Sequence, residues 1–347
     1  MRFPIERLDG LNVKVTRLVT DSRAVEQGDT FVAYPGETSD GRQFIGAAIA
    51  RGANAVIWES HGFAWNSDWQ VANLGVADLR HKAGWLADSV YRQPSEKLWM
   101  VGVTGTNGKT STSHWFAHAL NAVGRRCALI GTLGNGFAGA LQESPNTTPD
   151  AIRVHSLLGE YLNNGAQAVA MEVSSHALMQ GRVNGVRFDV ALLTNLSRDH
   201  LDYHGDMHSY AAAKRRLFDW DQLKYAVLNL DEEYGVELAG QLRGGSVEVV
   251  AYGLSDAALR HAEQMKLRMV YGNVLEMNSR GMKLAVHTSW GESQINSELI
   301  GRFNAENLLG TLAALLVSGI ELGAATRTLG TALPVAGRMQ RMGAANQ

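Results

Sequence analysis

The stretch from Val101 to Ser111 (Val-Gly-Val-Thr-Gly-Thr-Asn-Gly-Lys-Thr-Ser) constrains the fold more than any other part of the chain. An apolar strand runs into a glycine-rich turn, then Lys-Thr, then a helical pattern. Such a junction turns backbone N–H groups toward an anion, sets a lysine against terminal phosphates and offers a hydroxyl to Mg²⁺. The usual spacing wants a glycine five residues before Gly108. Val103 stands there instead, with glycines at Gly102 and Gly105. The bland alternative, a glycine-rich turn ahead of a helix, leaves Gly-Lys-Thr with little structural use.

From Leu98 onward, apolar runs alternate with helical patterns. Leu98–Thr104, Cys127–Gly131, Ala168–Val173, Val190–Asn195 and Tyr225–Leu230 read as strands. Several are apolar throughout, as in parallel strands buried on both faces. Lys109–Val123, Asp150–Asn164 and Met207–Trp220 read as helices, the first two stopped by Gly124 and Gly165. Residues 267–300 alternate more weakly around turn signals and suggest antiparallel hairpins. Asn304 is expected to cap a last helix reaching Val317.

Residues 1 to about 90 read as a smaller α/β unit. Its expected strands are Thr30–Tyr34 and Ala55–Trp58, with a helix at Phe44–Arg51 closed by Gly52. The polar joint Tyr91–Lys97, which holds Pro94, marks a boundary. The expected fold class is therefore α/β. A small N-terminal α/β domain precedes a doubly wound, mostly parallel sheet domain with added hairpins, which binds ligands at the carboxyl ends of its strands.

Composition narrows the function classes. Of 347 residues 19% are charged, and the net charge is −2, so no basic field points to nucleic acid. An anionic substrate must then be met by local groups. One cysteine, Cys127, excludes an intrachain disulfide and suits a reducing compartment. Met1–Gly10 lacks a signal-peptide core, and the apolar run Leu308–Ile320 is too short to span a bilayer. A cytoplasmic enzyme is the expectation.

Four polar clusters fall at the expected strand ends. The first is the loop itself, with Lys109 for phosphate charge and Thr110 for Mg²⁺. The second is Met171–His176, where Glu172 interrupts a buried strand and needs a cation, donor or metal. Mg²⁺ and a strand-end salt bridge both remain open. Ser174 and Ser175 lack the Gly-x-Ser-x-Gly surroundings of a hydrolase nucleophile. The third is Thr194–Gly205, where Asp199 and His200 could reach a metal, water or phosphate. His204 reads as a solvated loop histidine. The fourth is Lys214-Arg215-Arg216, where Arg215 and Arg216 read as a solvated face. Asn146-Thr147-Thr148 supplies donors and acceptors ahead of a helix, with capping as the simple alternative. Thr20–Arg23 and Gly36–Arg42 read as hydroxyl-rich turns that would suit a polar anionic ligand.

The loop Gly105–Ser111, with its displaced first glycine, resembles that of the Mur ligases; folylpolyglutamate synthases share a similar loop. Glu172–His176, Thr194–Gly205, Gly301–Asn304, Asp21–Arg23 and Asp40–Arg42 narrow the resemblance to the MurE branch of that family, over essentially the whole chain. The resemblance implies an ATP-dependent ligase of peptidoglycan synthesis. It would add the third amino acid, expected as meso-diaminopimelate although lysine is not separable here, to UDP-MurNAc-L-Ala-D-Glu through an acyl phosphate. The cofactors implied are ATP and Mg²⁺.

Residue by residue, the resemblance assigns ATP to Gly105, Thr106, Asn107, Gly108, Lys109, Thr110, Ser111, Asn304 and Arg338. It assigns the metal to Thr110, Glu172, His200 and Lys214, the last as a carbamate. Catalysis falls to Lys109, His200 and Lys214. The UDP-linked substrate falls to Thr20, Ser22, Glu37, Thr38, Ser39, Asn146, Thr147, Thr148, Ser174, Gln180 and Arg182. His-Ala-Leu at 176–178 departs slightly from the commoner His-Gly-Leu. The domains become 1–92 for the UDP substrate, 98–336 for ATP, and 337–347 as the stub of an absent third domain. On that expectation the chain is a fragment that binds its ligands without ligating. Another phosphate-loop phosphotransferase and a non-catalytic binding module are the alternatives.

Overall fold

The computed structural model describes residues 6–37 and 39–335. Contacts divide the chain into two units. The first holds the residues through Lys97 together with Pro149–Asn164 and His176–Val186. The second holds Leu98–Thr148, Gly165–Ser175 and the residues from Arg187 on. An unbroken second domain from residue 98 was the expectation. The helix Ala151–Asn163 instead packs on the helix Leu79–Val90 and the short strand Leu18–Val19, which draws it into the first unit.

The first unit is built on a parallel sheet of four strands, in the order Leu18–Val19, Thr30–Ala33, Ala55–Glu59 and Ala72–Val76. Phe31, Val32, Val56 and Ile57 are buried in it. The helix expected at Phe44–Arg51 is a 3₁₀ turn at Gly41–Phe44 followed by an α-helix at Ile45–Ala50. Gly52, at φ +100°, ends it as expected. The helix Leu79–Val90 buries Leu79, Ala83, Leu86 and Ala87.

Among the described residues the second unit carries an eleven-stranded sheet. Its spatial order is Gly291–Ser297, Gly281–Thr288, Arg268–Asn278, Glu248–Gly253, Tyr225–Asn229, Val190–Leu193, Trp99–Thr104, Ala168–Glu172, Cys127–Gly131, Gly134–Phe137 and Ala140–Gln142. The strands from Arg268–Asn278 to Cys127–Gly131 pair in parallel, and both flanks are antiparallel. The hairpins expected in 267–300 form one flank. The other went unread because glycines at 134, 136 and 139, all at positive φ, mimic a loop.

Two helix readings need correction. Gly301, not Asn304, precedes the helix Arg302–Val317; Asn304 lies inside it and donates through Nδ2 to the Ile300 carbonyl. The helix at Met207 closes at Arg215, short of Trp220. The helix Arg302–Val317 is buried almost all round, which accounts for its weak amphipathic signal in the sequence. No described helix is long and apolar enough to cross a membrane.

Candidate functional site

The phosphate loop leaves the strand Trp99–Thr104 and enters the helix Lys109–Ala122. Gly105 and Gly108 take φ +142° and +85°, conformations that L side chains rarely adopt. The adjoining strand end holds the loop. Thr106 N donates to the Asn195 carbonyl and Asn107 N to Asn195 Oδ1 (2.9 and 3.0 Å). Thr194 Oγ1 donates to the Asn107 carbonyl (2.6 Å). Thr194 and Asn195 are thus the clamp on the loop. On the other side, a Cβ at Gly108 would run into the Asn307 amide, so the helix Arg302–Val317 touches the loop there.

Lys109 Nζ folds back on the loop and donates to the Gly105 and Thr106 carbonyls, each at 2.9 Å. Thr110 Oγ1 donates to Glu172 Oε2 (2.9 Å). Glu172 is 1% exposed and also accepts from Thr132 N (2.8 Å) and Thr132 Oγ1 (3.2 Å). Its hydrogen-bond donors are hydroxyls and an amide, so the salt-bridge reading of Glu172 gives way to a buried carboxylate facing the first turn after the loop. Thr132 escaped the sequence reading, although its place just past the strand Cys127–Gly131 was a signal.

Lys214 is 1% exposed, with Nζ donating to the Gly105 carbonyl (2.9 Å) and lying 4.3 Å from the Tyr210 ring centre. Burial, with Lys109 adding like-charge repulsion, holds its ammonium well below the usual lysine range. The same carbonyl therefore takes both lysines. The neighbouring Arg215 pairs with Asp219 (3.2 Å), as a solvated face would.

His200 sits in the left-handed region, at φ +51°, about half exposed. Its Nε2 lies 3.4 Å from Asp199 Oδ2. Among the described residues no group of three or more His, Cys, Asp or Glu side chains is gathered as for a metal ion. His204 is not the solvated histidine expected. It is partly buried, hydrogen-bonds Ser175 Oγ (2.9 Å) and packs on the Tyr210 ring (5.1 Å). Tyr210, also missed, reaches Thr106 Oγ1 through its hydroxyl (3.3 Å).

The positions expected for a UDP-linked substrate fall in both units. In the second, Thr147 Oγ1 accepts from Thr132 Oγ1 (3.1 Å). Thr148 Oγ1 donates to the Glu172 carbonyl and accepts from Ser174 N (2.8 and 3.2 Å). Thr148 is not a cap, because Asp150 caps the helix Ala151–Asn163. The Asn146 carbonyl accepts from Ser144 Oγ (2.9 Å). In the first unit Ser22 is buried at the start of a 3₁₀ turn, two residues after Thr20, and the Ser39 carbonyl accepts from Gly36 N (2.8 Å). Glu37 Oε1 accepts from Gln180 Nε2 (2.5 Å), whose Oε1 accepts from Arg182 Nε (2.7 Å). Ser111 is buried in the first turn after the loop. Thr38, Arg338 and the segment 337–347 lie outside the described residues.

A glycine-rich loop on a strand–helix junction, over a buried carboxylate and two lysines, defines an α/β phosphate-loop protein. Residues 103–315 match the Mur ligase middle domain and residues 14–91 the Mur ligase family catalytic domain; the chain belongs to the Mur ligase family. This sets it apart from other phosphate-loop phosphotransferases. The UDP-N-acetylmuramoyl-L-alanyl-D-glutamate–2,6-diaminopimelate ligase of Nitrosomonas europaea is 49% identical over 98% of this chain and 65% of its own length. The like-named ligase of Chromobacterium violaceum is 47% identical over 98% of this chain and 67% of its own. A solved structure of a ligase of that name superposes with a TM-score of 0.78 at 33% identity, over 94% of this chain and 64% of that one. The chain thus spans about two thirds of the length of these relatives. A MurF structure from Acinetobacter baumannii, at 22% identity and TM-score 0.71, shares the fold.

Proposed function

We propose that the chain carries the ATP and UDP-substrate machinery of a ligase that joins diaminopimelate to UDP-N-acetylmuramoyl-L-alanyl-D-glutamate in the cytoplasm. The observation that carries this reading is Glu172: a carboxylate buried in a sheet core and bonded to the hydroxyl of the Lys-Thr pair of a phosphate loop.

The chain's residues divide the work. The loop N–H groups and Lys109 hold the ATP phosphates, Lys109 leaving its carbonyl partners for the γ-phosphate. Thr110 and Glu172 have the hard oxygen donors that suit Mg²⁺, with His200 and a carbamate on Lys214 as further ligands. When bound, Mg²⁺ neutralises charge developing on the transferred phosphoryl group. The low-lying Lys214 ammonium fits the carbamate, because only the neutral amine adds CO₂. Asn304, close in sequence to Asn307 at the loop, is proposed to contact the nucleotide. The substrate's D-glutamate carboxylate attacks the γ-phosphorus, and ADP leaves. The amine of the incoming diamino acid then attacks the acyl phosphate, releasing phosphate and a proton as the amide forms. Electrostatic stabilisation by preorganised donors supplies most of the rate in such transfers.

The test is calorimetric titration of the native chain with ATP and Mg²⁺, and separately with UDP-N-acetylmuramoyl-L-alanyl-D-glutamate. ADP release is then measured with both ligands, with and without diaminopimelate. The expected result is saturable binding of each ligand, with Glu172→Gln losing the Mg²⁺ dependence of the nucleotide. Absence of binding by the UDP-linked dipeptide would overturn the reading. ADP release indifferent to that ligand would return the chain to a general nucleotide hydrolase.

A further inference from the structure

We infer that Arg80 is a diphosphate-binding residue, pairing with Arg182 in the first unit to take the diphosphate of a nucleotide-linked substrate. This rests on the UDP-linked reading above and extends it to a side chain that no sequence motif singles out.

Arg80 lies in the first turn of the helix Leu79–Val90. A cation there opposes the helix dipole, which favours acids at that end. This first turn holds no acidic residue. The start of the helix is served from elsewhere: Glu59 accepts from Leu79 N (2.6 Å) and Asp78 N (3.2 Å). Helix stability therefore does not account for an arginine at this position.

Ion pairing does not account for it either. Arg80 Nη2 reaches Glu37 Oε1 at 3.4 Å, with the two side chains 31% and 44% exposed. A half-exposed pair of that length contributes little and is screened by salt. Such a contact gives way readily to a stronger anion.

The Arg80–Glu37 contact does link Arg80 to a second guanidinium through two side chains. Glu37 Oε1 receives both Arg80 and Gln180, and Gln180 in turn receives Arg182. One Glu–Gln pair thus tethers Arg80 at one end and Arg182 at the other. The Tyr34 hydroxyl records both cations: burial and the Asp150 carboxylate push its titration up, and Arg80 and Arg182 pull it back. Two planar forks tied to one Glu–Gln pair offer one guanidinium to each phosphate of a diphosphate, which such groups bind bidentately. With a net charge of −2, the chain has no general field to attract such an anion.

The experiment titrates UDP, UMP and uridine into the native chain, Arg80→Ala, Arg80→Lys and Lys82→Ala, with thermal midpoints to confirm folding. Lys82 lies on the same turn, and its Nζ donates to the Ala77 carbonyl (2.7 Å). Arg80→Ala is expected to weaken UDP by about tenfold or more and leave uridine unchanged; Arg80→Lys, which keeps the charge and loses the fork, recovers part of that loss. Lys82→Ala is expected to stay within about twofold for UDP. Unchanged UDP affinity in Arg80→Ala overturns the inference alone. So does an equal loss for uridine, which marks a structural role, or an equal loss in Lys82→Ala, which marks a general field. A native chain that binds none of the three ligands removes the UDP-linked reading and this inference together.

Discussion

The two regions that gather cations do so by opposite means. At the phosphate loop of the second unit, two ammonium groups lean on one backbone carbonyl, that of Gly105. One of them, Lys214, is buried deeply enough to lose much of its hold on its proton. In the first unit, two guanidiniums sit at the partly exposed ends of a Glu37–Gln180 pair. A lysine shifts its charge when buried, whereas an arginine keeps it. The first arrangement suits a site that must adjust charge and metal ligation around a reacting phosphate. The second suits a site that only holds an anion in place. Lysine and arginine are thus set in different surroundings for a physical reason.

The largest effect that would break this contrast lies in the loop backbone. Gly105→Ala would place a Cβ against Thr194 Oγ1 and the Asn195 backbone at φ +142°. Forcing the loop open by about 2–3 kcal/mol lowers ATP affinity by about 30- to 150-fold. UDP affinity should hold, and calorimetry with each ligand checks both. An equal fall in UDP affinity would show that the two cation sets are not independent.

Next in size is Glu172→Ala. It leaves Thr132 N and the Thr110 hydroxyl without their buried acceptor, at a cost of about 2–4 kcal/mol in chemical denaturation. Glu172→Gln keeps an acceptor there and should lose less than half as much. Lys109→Arg sharpens the contrast directly. A broad guanidinium fork does not fit the place where one Nζ turns from the Gly105 and Thr106 carbonyls to the γ-phosphate, so ATP affinity should drop by about tenfold. Free exchange of arginine for lysine there would end the distinction drawn above.

The smallest effect belongs to Asp40→Asn in the first unit. Side-chain hydrogen bonds from Arg42 hold the Asp40 carboxyl below its ordinary 3.8, against the opposing effect of its burial. The two side chains meet in a forked pair at 2.7–3.1 Å. A carboxyl lowered in the fold stabilises above its unfolded value and loses that contribution as pH falls through the lowered one. Asp40→Asn should therefore cost about 1 kcal/mol at pH 7. The cost should fade as pH drops below 3.8, which denaturation at several pH values checks.

Much of the candidate site was legible in the sequence, because loop chemistry is local. Gly105, Gly108 and Lys109 are consecutive demands of one strand–helix junction, and Glu172 stood out as a carboxylate in an apolar run. The residues missed act across chain distance. Thr132, Tyr210 and Asn307 matter through what the fold brings to them, and His204 looked solvated because Ser175, 29 residues away, was not visible as its partner. Asn304 misled for a related reason: asparagine is a good cap, yet Gly301 already opens the helix and leaves Asn304 within its first turn.

The amino-acid order by itself determined the α/β class, the buried parallel strands and the phosphate loop. These follow from hydrophobic period and from φ angles that few residues besides glycine tolerate. Tertiary structure alone decided which helices join which unit, that Glu172 faces Thr110, and that Arg80 and Arg182 are tied to one Glu37–Gln180 pair. Those pairings depend on how strands and helices pack over tens of residues, and packing leaves no mark in local composition.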